Sequence, residues 1–270
     1  QTTVSNTDFE SHFRLLGELP LGGAGVLQLE TLSDAIVPTV DVINQYSHLL
    51  LEPLELRCPL SNGDILVCTV SRLYETERGL ILQWVSPSKT PSNRLLMESW
   101  LSMMMALQAG HTVLCAEIVY IKDSKTSSHR LMGTNLDTDF AKEYLETMYG
   151  ILKESTCRFL PIFPNTSFAI GKELSSNEDF ILNSTQIPTQ ILRPIIDKEW
   201  DFIDSGEGKS DKDWEDPYLK YFCFEYSPLG NFSNHIDDNE CVSWALKIWQ
   251  PIFKSVGEIQ KTLAIIDEEL

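Results

Sequence analysis

Between Leu54 and Val85 the apolar residues crowd into three short runs, Leu54–Leu60, Ile65–Leu73 and Leu80–Val85, divided by turn-forming residues at Asn62-Gly63 and Glu75–Gly79. Runs of this length bounded by such residues read as strands. Asn-Gly between two of them signals a two-residue hairpin. Pro87 and Pro91 end the third run, and Ser92 or Asn93 is placed to cap a helix that continues to Gly110. That helix carries Leu95, Leu96, Met97, Trp100, Leu101, Met103, Met104, Met105 and Leu107. Being apolar nearly all round, it is predicted to be covered on most sides, with the methionines as core filling rather than a ligand face. Thr112–Ile121 reads as a fourth strand.

The flanking pattern is more helical. Residues 1–16 are polar with scattered aromatics, and Leu19–Gly25 is a glycine-rich break. No Gly-Lys-Ser/Thr follows it, so it lacks the lysine of a phosphate-binding loop. Leu29, Leu32 and Ile36 recur at near-helical spacing from about Val26, Pro38 interrupts, and a second helical stretch runs to about Leu51. After the fourth strand comes a polar hairpin or loop, Lys122–Thr134, one of the few basic patches, holding Lys122, Lys125, His129 and Arg130. An amphipathic helix at about 138–155 sets Phe140, Tyr144, Met148 and Ile151 on one face, with Asp139 in its first turn. An aromatic-proline segment, Phe159–Pro164, leads into helical and loop-rich sequence, and a final helix near 238–255 carries Trp244 and Trp249. With no internal repeat and no obvious linker, the expectation is one domain over 1–270: a core at about 26–155 and a helical, acidic extension at about 156–270. Opening at Gln1 without Met, the chain reads as a fragment of a larger subunit.

Composition changes the picture in two ways. A hydrophobic fraction of 43% in 270 residues supplies an ample core, and no run reaches the ~20 apolar residues that cross a bilayer. A cytoplasmic protein off the membrane is expected, and its six cysteines, none in a C-x-x-C pair, read as reduced thiols rather than a zinc site. Charge is the sharper bound. With 39 acids against 21 bases the net is −18, which opposes non-specific binding to nucleic acid phosphates. Any such contact has to be local or supplied by a partner. Residues 197–216 alone hold nine acids against Lys198, Lys209 and Lys212, either a solvated loop or a docking strip for a basic surface.

Helix, three antiparallel strands, helix, strand is the order of the restriction-endonuclease-like, PD-(D/E)XK, nuclease core, so the fold class expected is α/β with a C-terminal helical extension. Cleaving a phosphodiester in such a core takes carboxylates on adjacent strands to hold Mg²⁺, and a lysine two residues beyond the second to position water. Near the end of the second strand stands Ser71; in mid-third strand, Gln83; in the lysine position, Val85. Each is uncharged, and neutral oxygens do not offset the dehydration of Mg²⁺. The core is therefore read as catalytically degenerate, with no metal or other cofactor of its own. Asp64 after Asn-Gly is a turn residue, and Glu117 in an apolar strand needs a partner, for which Arg72 is a neighbour. The alternatives are a divergent Mg²⁺-dependent nuclease using Asp64, Glu75 or Glu117, and an unrelated acidic interaction domain. The five histidines are scattered, and no G-x-S-x-G nucleophile turn is present.

Several segments together resemble the C-terminal domain of RecC, the gamma subunit of exodeoxyribonuclease V. They are Leu19–Gly25 with the helix after it, Leu95–Leu101, Phe159–Ala169, Asp216-Pro-Tyr218 and Trp249–Phe253, in the order that family has them. The resemblance implies a domain with the nuclease fold of RecB but without its catalytic residues. Such a domain helps bind RecB, alongside RecD, and guides the separated DNA strands during double-strand break repair and recombination. Mg²⁺ and ATP are then used by the partner subunits. Lys122, Lys125 and Arg130 are the candidate DNA contacts.

Overall fold

The computed structural model describes residues 51–86, 90–122, 125–158, 160, 162–175 and 238–266, with Val26, Leu27, Glu30 and Val40, all helical, before them. The expected helix over 1–16, the glycine-rich break, the acidic stretch 197–216 and Asp216–Phe224 lie outside the described residues. The elements in order are β1 (Leu54–Pro59), β2 (Ile65–Val70), β3 (Leu73–Thr76), β4 (Gly79–Ser86), α1 (Asn93–Gln108), β5 (Val113–Lys122), β6 (Lys125–Met132), α2 (Thr138–Ser155), α3 (Pro164–Ser175) and α4 (Asp238–Ile266).

The antiparallel strands expected before α1 are divided between two sheets. β1 and β2 form an antiparallel ribbon, and a separate sheet runs β3-β4-β5-β6. The run expected as one strand over Ile65–Leu73 breaks at Ser71–Arg72, where the chain leaves the ribbon and joins the larger sheet. β4 is antiparallel to β3 and parallel to β5, with α1 as the crossover, and β6 returns antiparallel to β5. The basic segment, expected as a hairpin or loop, is largely the second strand of an antiparallel pair with β5. The ribbon's turn also differs: Gly63 N–H reaches Leu60 O and Leu60 N–H reaches Asp64 O, so Ser61–Gly63 form a three-residue loop. Gly63 takes φ 87°, the left-handed conformation such a loop requires at its last position.

Local chemistry explains the helix ends. The Ser92 side chain accepts the Leu95 N–H and starts α1, and Asp137 does the same for Phe140 N–H at α2. α1 packs on β4 and β5, on α2, and on the β1–β2 ribbon. It is thus sandwiched, which accounts for its apolar circumference; Trp100, Met103 and Met104 are wholly buried. The ribbon is pinned by Cys58 Sγ donating to Met105 O and Gln108 Nε2 to Pro59 O. Its turn is tied to α2: Ser61 donates to Glu146, and Tyr149 and Lys153 donate to Asp64. α4, longer than the expected 238–255, packs along α3. Their approach is close enough that a Cβ on Gly171 would lie 2.5 Å from Trp249 Cβ. Trp249 Nε1 donates to Ser167 Oγ at 3.0 Å, and Tyr144 Oη to Ile248 O at 2.8 Å.

Candidate functional site

Two neighbouring rows of residues cross the four-stranded sheet. Leu73, Leu82, Ala116 and Leu131 are register partners from β3 to β6 and are wholly buried. One residue along, side chains point to the opposite face, and the row there is polar: Gln83 is opposite Glu117, and Glu117 opposite Arg130. Gln83 N–H donates to Arg72 O at 3.1 Å, which sets Arg72 beside Gln83 at the break between β2 and β3.

These side chains form one hydrogen-bonded line. Arg72 Nη2 donates to Tyr74 Oη at 2.8 Å, and Tyr74 donates to Gln83 Oε1 at 3.0 Å. The amide's other end, Nε2, donates to Glu117 Oε2 at 2.9 Å, and Arg130 Nε donates to Glu117 Oε1 at 2.8 Å. The directions are mutually consistent. An ionised Glu117 accepts at both oxygens, which orients the Gln83 amide, which in turn leaves an acceptor for the phenol. Gln83 and Glu117 are 2% and 3% exposed, so the carboxylate depends on Arg130 for charge compensation. Beside it, burial first and then the Glu117 charge push the Cys115 thiol up to about 12.

Each residue singled out by sequence can now be placed. Gln83 lies at the centre of the line. Val85 is two residues on along β4, partly buried and opposite Val119. Ser71 is exposed in the connection before β3, and the residue opposite Gln83 is Arg72. Glu117 pairs with Arg130 and not with the expected Arg72, which donates to Tyr74. The reason is register: β6 brings Arg130 directly across from Glu117. Lys122 is exposed at the end of β5, in register with Lys125 at the start of β6, while the Arg130 guanidinium turns toward Glu117. Arg130 is therefore committed to Glu117.

Asp64 sits in the ribbon turn, where Tyr149, Lys153 and Asn62 hold its carboxyl below the usual range, and Glu75 is exposed on β3. Among the described residues no group of three or more His, Cys, Asp or Glu could hold a metal ion. A cleft of about 340 Å³ lies where α1 ends and α2 begins, lined in part by His111 and Asp137, but Asp137 is occupied in capping α2. Sequence reasoning missed Tyr74 and the positions of Arg72 and Arg130. The one available signal was that Arg72 and Tyr74 alternate with apolar Leu73.

The line can bind or be bound through hydrogen bonds, but its single carboxylate is already neutralised. The family model for the RecC C-terminal domain matches residues 2–175. No curated protein matches the chain significantly. The solved structure titled "Crystal structure of SSO0001" is similar at 13% identity over 54% of this chain and 69% of that one; its TM-score of 0.28 is too low to carry an argument. The segments Asp216–Tyr218 and Trp249–Phe253 lie beyond the matched residues. Among the described residues no helix is long and apolar enough to cross a membrane.

Proposed function

We propose, from the premise that this chain belongs to the RecC C-terminal domain family, that it is a non-catalytic scaffold of the RecBCD helicase–nuclease, exodeoxyribonuclease V. In that role it binds RecB and guides unwound DNA strands during double-strand break repair and recombination. Mg²⁺ and ATP are handled by the partner subunits. The reading takes the fold to be a degenerate restriction-endonuclease-like core. What supports this is β3 antiparallel to β4, with β4–α1–β5 as a parallel crossover.

The observation that carries the proposal is the Gln83–Glu117–Arg130 line. Divalent-metal cleavage needs at least two carboxylates converging on an open position, and a basic group near the water. Here the central position holds an amide, the position two residues on holds Val85, and the neighbouring carboxylate already accepts at both oxygens, from Gln83 and from the Arg130 cation. A domain arranged this way contributes surface and rigidity rather than bond cleavage.

Co-purification with RecB tests it. Association is expected to survive Gln83→Leu, and at saturating DNA the maximal rate of Mg²⁺-dependent degradation of single-stranded DNA by the assembled complex is expected to be unchanged in Glu117→Ala. No association with RecB at micromolar concentration would refute the scaffold reading. Loss of nuclease activity in an assembled Glu117→Ala complex would instead favour a divergent nuclease.

A further inference from the structure

We propose that Arg72 binds a backbone phosphate of a nucleic-acid strand at the break between β2 and β3. The inference deepens the scaffold reading and rests on its premise that a DNA strand passes this domain.

Three observations carry it. In a chain with 39 acids and 21 bases, cations have many carboxylates to pair with. Arg57 pairs with Glu55, Arg130 with Glu117, and Arg158 with both Glu154 and Glu240, while Arg78 and Arg94 are exposed to water. Arg72 alone among the described arginines is partly buried and makes no ion pair. Its Nη2 donates to a neutral phenol, and its Nε is buried without an acceptor. A partly buried cation without a carboxylate is costly to hold, and an oxyanion arriving at the guanidinium offsets the charge part of that cost.

The guanidinium is also held in place. The backbone of Arg72 is fixed by the bond from Gln83 N–H. Its head is fixed by Tyr74, which donates to Gln83, whose amide is oriented by Glu117 and through it by Arg130. A positioned guanidinium loses little freedom on binding, and its planar fork matches phosphate oxygens.

The third observation is location. Arg72 stands next to Gln83, where the assumed ancestral core would set metal ions against the phosphate being cut. A guanidinium attracts the same oxyanion but supplies no activated water, and Gln83 and Val85 supply no base. The strand is held and left intact. The polar row thus has a present use as the support that aims one arginine.

The test uses the complex assembled with its partner subunits, and a single-stranded oligo(dT) as probe. Arg72→Gln is expected to weaken binding several-fold and to reduce the slope of log K against log salt by about 0.7, the value for one lost phosphate contact on a single strand. Arg72→Lys keeps the charge, so the slope should stay near wild type while affinity drops, because the fork is lost. Tyr74→Phe, a change in a positioning residue, should lower affinity with the slope retained. Thermal melts of all three show whether the fold is intact, and Arg72→Lys keeps the test decisive if Arg72→Gln is unstable. Unchanged affinity and slope in a folded Arg72→Gln complex would overturn the proposal and leave water as the ligand. Weaker subunit association with DNA binding unchanged would also overturn it, identifying a partner carboxylate as the anion. Failure of the wild-type chain to join RecB would refute the scaffold reading by itself, a result readable without DNA.

Discussion

Arg130→Met tests the central pair most directly. Among the described residues it removes the one cation paired with Glu117 and leaves a carboxylate that is 3% exposed with an amide donor from Gln83. Removing one partner of a fully buried ion pair costs about 3–5 kcal/mol. The Arg130 side chain is 33% exposed, so water can reach the vacated space, and the lower figure of about 2–3 kcal/mol is expected. At about 2–4 °C per kcal/mol for a chain of this size, the melting temperature should fall by about 4–12 °C. Glu117→Gln should cost less, about 1 kcal/mol, because the freed guanidinium is already partly hydrated. The double variant leaves no uncompensated buried charge and should be more stable than Arg130→Met alone. Urea denaturation of the four proteins closes the cycle. If the double variant loses the full sum of the two single costs, the residues do not act as a pair and the reasoning fails.

Three further outcomes follow from packing and titration. Gly171→Ala places a methyl 2.5 Å from Trp249 Cβ; separating α3 from α4 should cost about 1–3 kcal/mol, read as a lower urea midpoint, and an unchanged midpoint would mean that the two helices are not in contact. Asp64 and Glu146 are both held below the usual carboxylate range, Asp64 first by the Tyr149 hydroxyl and Glu146 first by the Ser61 hydroxyl. A depressed folded-state value gives stability that is present above the unfolded pKa and lost as pH falls through the folded one. The gap between wild type and an Asp64→Asn/Glu146→Gln variant should therefore be open at neutral pH and close below about pH 4; a gap constant with pH would remove the electrostatic account of the ribbon clamp. Burial pushes the Cys58 thiol up to about 11, whereas Cys157 is exposed, so alkylation at pH 8 should label Cys157 in the native protein and Cys58 only after denaturation, with mass spectrometry of the peptides as the readout.

How much of this was legible in the sequence follows from the range of the forces involved. The start of α1 was readable because a cap and its N–H lie three residues apart, Ser92 with Leu95; α2 was legible from its apolar face, and the Asp137 cap on Phe140 N–H came with the structure. β6 was hard to see because Lys-Thr-Ser-Ser-His-Arg has little strand preference of its own, and its extended form comes from pairing with β5. The break at Ser71–Arg72 was hidden for a related reason: the apolar alternation runs on through Leu73 while the chain changes sheets. The site shows the limit most clearly. A missing carboxylate at Gln83 and a missing lysine at Val85 are local facts, visible in a string of letters. What took their place is set by register between strands 34 and 13 residues apart, Gln83 to Glu117 and Glu117 to Arg130. The sequence offered Arg72 as the neighbour for Glu117, and the β5–β6 pairing chooses Arg130 instead. That choice leaves Arg72 without a carboxylate, so the feature with most bearing on function is a consequence of a pairing that no local pattern encodes.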